Sequence, residues 1–206
     1  MPETIAKGKD ILAKHVPIAL ANPLWEWLMQ YNIRLKIKAV RKTKLGDYRP
    51  PLHDNVHQIT VNAGLNPYQF LLTTVHEIAH AIVWQQHKNR VKPHGKEWKT
   101  TFAGLMKIIL SHNAIPPSLQ HALQKHMENP KAMGSTDVAL QKEMLQYDAP
   151  VEGVLLEDVE PGGVFGALKG KTFQKHEKLR KRYRCMCLNN KKMYLFHPLT
   201  RVFPLD

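Results

Sequence analysis

The sequence predicts an α+β protein: a mainly helical N-terminal region with a short β-sheet, then a small β-rich module. Three observations predict it. Two apolar/polar alternations, 34–40 and 57–63, stand among segments of helical periodicity. The stretch 67–86 is apolar nearly all round, as a helix inside a domain must be. At Asp148-Ala149-Pro150 the pattern turns to short strands punctuated by Gly162-Gly163 and Gly170. On this reading the 206 residues divide into 1–147 and a basic β module, 150–206.

In chain order, Leu12, Val16 and Leu20 recur at spacing four, and Trp25, Leu28 and Met29 form a second stripe. That periodicity predicts helix over 3–32, with Pro17 and Pro23 dividing it. In 34–40, Leu35, Ile37 and Ala39 oppose Arg34, Lys36 and Lys38, giving a strand with one basic face. Gly46, Pro50 and Pro51 make 41–54 a loop. Ile59 and Val61 then alternate with Gln58, Thr60 and Asn62, until Gly64 and Asn66-Pro67 end the strand and open the long helix. A basic turn, 88–93, leads to a helix starting near His94 whose buried face is Trp98, Phe102, Leu105 and Ile109. Pro116-Pro117 opens another helix to about Met127, and Ser135 is expected to cap a last one ending at Tyr147. Segments 182–188 and 192–196 flank Asn189-Asn190-Lys191 as a hairpin.

Composition narrows the function classes. Lys and Arg number 30 against 17 Asp and Glu, a formal charge of +13 that favours polyanionic partners. Two cysteines cannot staple a disulfide scaffold and suit a reducing compartment. The N-terminus lacks a basic segment followed by an apolar one, and no run approaches 18 apolar residues. A cytoplasmic globular protein without a membrane span is expected.

The long helix carries His76-Glu77-Ile78-Ala79-His80, an H-E-x-x-H pattern. Residues i and i+4 lie about 5–6 Å apart on a helix, so two imidazoles can converge on one Zn²⁺. Glu77 beside the first can then act as general base toward a metal-activated water. Shuffling this composition produces the pattern only about 3% of the time. Paired buried histidines held by hydrogen bonds are the bland alternative, but three ionisable groups in an apolar helix need compensation. A third ligand must come from elsewhere. His87 lies about 10 Å beyond His80 along the axis and cannot share the ion. His94 shares a face with Trp98 and is favoured on phase; Glu97 is the rival, as a carboxylate.

His76-Glu77-Ile78-Ala79-His80 followed by His94-Gly95-Lys96-Glu97-Trp98 resembles the SprT-like zinc metallopeptidases, over about residues 15–112. The resemblance implies a zincin-like (minigluzincin-type) domain, one Zn²⁺ held by His76, His80 and His94, and Glu77 as the catalytic glutamate. It also places 57–63 where the family has an edge strand, along which a substrate would add by backbone hydrogen bonds. The family's best-known activity is proteolysis of DNA-bound proteins. Several bacterial members end in a zinc ribbon with two cysteine pairs. Here Cys185 and Cys187 allow no Cys₄ site and read as buried, inert thiols beside Tyr183, with a site completed by His197 as the weaker alternative. A small metal-free β module is expected in the ribbon's place.

Charge is uneven along the chain. Between Leu168 and Lys192 ten Lys or Arg face Glu177 alone. Lys171, Lys175, Lys178, Arg180, Lys181, Arg182 and Arg184, interleaved with Phe173 and Tyr183, are candidates to contact DNA or another polyanion through its phosphates. A second run, from Arg34 to Arg49, holds seven cations against Asp47. The expected function is a zinc endopeptidase acting on a protein substrate, with Tyr48 and Arg49 as candidate oxyanion partners. The alternatives are a nucleic-acid-associated factor with structural zinc and a hydrolase of non-peptide amides.

Overall fold

Apolar stripes on the helices meet apolar strand faces to build the first of two compact units, Met1–Asp148 and Ala149–Asp206. The computed structural model describes residues 2–40, 44–52, 54–130, 137–167 and 170–205, with side chains from residue 8 onward. Arg41, Lys42, Ser135 and Lys169 lie outside the described residues.

Two helices open the first unit, α1 (Pro2–Ala13) and α2 (Ile18–Gln30), and Pro17 divides them as expected. Pro23 does not: it sits inside α2 and is buried with Leu20, Leu24 and Leu28. Burial of the apolar ring there offsets the lost backbone hydrogen bond.

Three strands follow: β1 (Ile33–Lys38), β2 (Gly46–Arg49) and β3 (His57–Asn62), in the order β1-β3-β2. β1 runs parallel to β3 and β2 antiparallel to it. Two expectations are thereby corrected. Residues 46–49 form a strand rather than loop, and 57–62 is the central strand rather than an edge. β2 escapes a periodicity test because Gly-Asp-Tyr-Arg has no apolar alternation; pairing with β3 and packing on the long helix hold it extended. On the outer edge, Arg34, Lys36 and Lys38 point to solvent, which discourages strand addition there.

The long helix α3 (Pro67–His87) starts at Asn66, whose side chain accepts from the N–H groups of Tyr68 and Gln69 at 3.1 and 2.9 Å. α4 (Lys96–Ser111), α5 (Pro117–Glu128) and α6 (Val138–Leu145) complete the unit. Asp137 caps α6, accepting from Leu140 N–H at 3.3 Å. The core joins Phe70, Val75 and Ile78 of α3 to Phe102 and Met106 of α4, Leu24 and Leu28 of α2, and Ile59 and Val61 of β3.

The second unit is one antiparallel sheet. Its strands are β4 (Val154–Leu155), β5 (Val164–Ala167), β6 (Lys171–Lys178), β7 (Tyr183–Cys187), β8 (Met193–Phe196) and β9 (Arg201–Leu205), ordered β4-β9-β5-β6-β7-β8. β7 and β8 are the expected hairpin, and Phe165, Phe173 and Phe196 form its core with Val202 and both cysteines. Both thiols are free and buried, and burial pushes that of Cys185 up to about 11. Such a thiol stays protonated and unreactive. The ring of His197 accepts from Leu199 N–H at 3.3 Å. No helix among the described residues is long and apolar enough to cross a membrane.

Candidate metal centre

Helical spacing stacks His76 and His80 on α3, with their Nε2 atoms 3.2 Å apart. The Nε2 of His94 closes a triangle, 3.1 Å from that of His76 and 2.9 Å from that of His80. His94 does not stand on α4 as expected. It lies in the turn before it, with φ 57°, and Gly95 is the N-cap of α4. This left-handed conformation suits histidine better than a β-branched residue. Glycine is needed next, because a Cβ on Gly95 would meet the Lys92 carbonyl oxygen at 2.9 Å. Among the described residues the group able to hold a metal is His76, His80 and His94; neither Glu97 nor His87 joins it.

The donor set fits one cation. Each Nε2 carries either a proton or a lone pair along one direction, so three mutual contacts cannot all be hydrogen bonds. Tetrahedral bonds of about 2.0–2.1 Å to one ion would set the nitrogens roughly 3.3–3.4 Å apart, close to the triangle seen. Burial, reinforced by the neighbouring imidazoles, pushes His76 down to about 3 and His80 to about 4, and burial also lowers His94. All three are therefore neutral at pH 7, the form that ligates.

Aromatic rings fix the imidazoles. Trp98 packs on all three, with centroids 4.6, 5.5 and 4.8 Å from His76, His80 and His94, and its Nε1–H donates to the His76 carbonyl at 3.4 Å. Phe102 stacks beneath Trp98 at 5.0 Å. Glu77, only 8% exposed, lies under β2. A Cβ on Gly46 would stand 2.7 Å from Glu77 Oε1 and 2.6 Å from Thr73 Cγ2, so any larger residue there would displace the carboxylate or the threonine. In the sequence Gly46 reads merely as a loop signal.

The two oxyanion candidates part company. Tyr48 lies parallel to the His80 ring, 6.1 Å away at 11°, but its hydroxyl is engaged by His57 Nδ1 at 2.9 Å. Arg49 is exposed and paired with Asp47 at 3.2 Å. His57 escapes sequence reading altogether: it opens β3 with no motif around it.

The seven cations of the second unit also separate. Lys171, Lys178, Arg180, Lys181 and Arg182 are exposed, four of them at or beside the β6–β7 turn, and Arg184 pairs with Glu177 at 2.8 Å. Lys175 is corrected: it is 4% exposed, donates to the carbonyls of Glu157 and Val159, and lies 4.3 Å from the Tyr183 ring centroid. An ammonium held inside the sheet cannot contact phosphates. Inward position in the β6 alternation, between Phe173 and the exposed turn, was the signal.

A mixed sheet laid over an H-E-x-x-H helix, with a third imidazole returned by the next turn, defines an α+β domain with a site able to hold a metal ion. More narrowly, residues 23–121 match the model of the SprT-like family. Protein SprT of Escherichia fergusonii is 36% identical over 89 residues, covering 39% of this chain and 53% of the relative. The chain thus spans about half the length of the curated relative it matches. No solved structure matches.

Proposed function

We propose that the chain is a zinc-dependent peptidase in which Glu77 is the proton acceptor. The observation that carries this reading is a triangle of neutral imidazole nitrogens, 2.9–3.2 Å apart, beside a glutamate sheltered by a strand. Zn²⁺ held by His76, His80 and His94 supplies a Lewis acid able to polarise a carbonyl and to lower the pKa of water to about 7. The Glu77 carboxylate takes a proton from the attacking water and returns it to the leaving nitrogen as the C–N bond breaks. β3 is paired on both sides, so an extended substrate cannot add to it. Among the described residues β2 pairs with β3 along one edge; its other edge offers backbone groups to a polypeptide, while the Gly46 face of the strand lies on Glu77. Strand addition reads few side chains, in keeping with broad sequence tolerance.

We infer further that DNA-associated proteins are the substrates. The support is the exposed cationic turn of Lys178, Arg180, Lys181 and Arg182, suited to phosphates. Zinc-loaded protein should cleave casein, and should cleave a basic DNA-binding protein faster when DNA is added. Glu77→Gln should keep its zinc and lose activity by about 100-fold or more. Undiminished proteolysis by that variant overturns the mechanism. Rates indifferent to DNA remove the DNA reading and leave the peptidase, whereas a zinc-bound chain that cleaves nothing points to structural zinc.

A further inference from the structure

His80, Trp84 and Lys88 follow one another at i, i+4 and i+8, forming one ridge at the end of α3. Ring contacts link its members to the sheet. The Lys88 ammonium lies 4.0 Å from the Trp84 ring centroid. Trp84 meets the His57 ring edge-on at 5.4 Å. His57, 3% exposed, bonds the Tyr48 hydroxyl at 2.9 Å and lies 5.8 Å from its ring, and Tyr48 lies over His80.

We propose that Tyr48 and His57 form a positioning pair for His80, the hydrogen bond between them locking the tyrosine ring across the imidazole so that its Nε2 faces His76 and His94. The inference rests on the triad being the metal site. Three observations carry it. A Tyr ring has two torsions, and a hydroxyl tied to a buried partner removes the freedom to swing off His80. The bond is sheltered: His57 is buried and Tyr48 half-buried, so water competes little for either partner. The pair also spans two strands, Tyr48 on β2 and His57 at the start of β3, so the sheet itself fixes the ring that holds the ligand. Partners that orient a metal-binding histidine act through ligand geometry, and removing one weakens metal binding by about 10–100-fold. Neither residue touches a reacting atom in this role; both act through His80.

The test is Zn²⁺ affinity, by competition with a chromophoric chelator, on the full chain. Tyr48→Phe keeps the ring and removes the hydrogen bond; it should weaken Zn²⁺ binding about 10-fold, and His57→Ala should do the same. The double variant should be no worse than either single one, because the pair acts as a unit. His57→Gln, whose amide can donate to or accept from the hydroxyl, should recover most of the loss. The d–d spectrum of the Co²⁺ form should change in Tyr48→Phe, while the metal-free protein keeps its circular dichroism and melting temperature. Wild-type affinity in Tyr48→Phe, additive losses in the double variant, or a loss matched by unfolding of the metal-free protein would each overturn the proposal. His80→Ala separates the two readings: if it leaves Zn²⁺ affinity intact, the triad is not the metal site, whereas if it abolishes binding while Tyr48→Phe is silent, only the positioning pair fails.

Discussion

Lys175 in the C-terminal unit and His76 and His80 in the N-terminal one are ionisable groups drawn away from water, yet their surroundings differ in kind. Lys175 is complete: two backbone carbonyls receive its protons and an aromatic face covers it. The triad is incomplete as protein alone, since three imidazole nitrogens face one another within 3.2 Å and cannot all be satisfied by sharing protons. The difference teaches that burial of a polar group does not by itself mark a site. What marks one is burial whose compensation the polypeptide does not provide.

The largest effect is expected at the three imidazoles. His76→Ala or His94→Ala should lower Zn²⁺ affinity by well over about 100-fold, more than the loss of an orienting partner costs, while Glu97→Gln leaves it unchanged. Chelator competition decides this. A His94→Ala protein with normal affinity would mean that the nitrogens meet for another reason.

A smaller effect tests the self-contained side. Lys175→Met removes the donor of two buried carbonyls and should destabilise the chain by about 1–3 kcal/mol in thermal unfolding, with zinc content unchanged. Lys178→Met, exposed one turn of the alternation away, should stay within about 0.5 kcal/mol. Equal effects would erase the distinction drawn between the two lysines.

The mildest test sharpens the contrast through pH. Folded His76 and His80 sit at about 3 and about 4 against an ordinary 6.5. Between those values the unfolded chain binds protons that the folded one refuses. Metal-free protein should therefore hold full stability above about pH 6.5, lose it progressively as pH falls, and level off near pH 3–4. Urea midpoints at pH 7.5, 6 and 5 measure this. A midpoint constant across that range would show that the imidazoles are not withdrawn from solvent.

Legibility in the sequence followed the range of the forces involved. α3, α4 and the β7–β8 hairpin declare themselves because each obeys a local period and carries its own punctuation, Asn66-Pro67 being the clearest. The H-E-x-x-H pair is legible for the same reason, since one helix turn supplies the geometry. His94 was reachable in identity but not in conformation: its backbone lies in a left-handed turn, which phase counting along a helix does not describe. β2, Gly46 and His57 were not legible because tertiary contact decides them. Nothing in Gly-Asp-Tyr-Arg is strand-like until β3 pairs with it, and nothing about His57 is functional until Tyr48 reaches it. Lys175 shows the converse. Charge counting assigns it to the surface, while the alternation of β6 turns it inward.

The chain distances within the centre bear on how it is closed. The three ligand pairs are separated by only 4, 14 and 18 residues, so one helix and the turn after it can gather all three nitrogens at small loop-closure cost. The cover over Glu77 arrives differently. β2 pairs with β3 over a stretch of chain no longer than the triad's own, but setting Gly46 over Glu77 joins residues of a different strand and helix. The ligand set and the cover of the glutamate are thus closed by different contacts, one within a helix and its following turn, the other between that helix and the sheet.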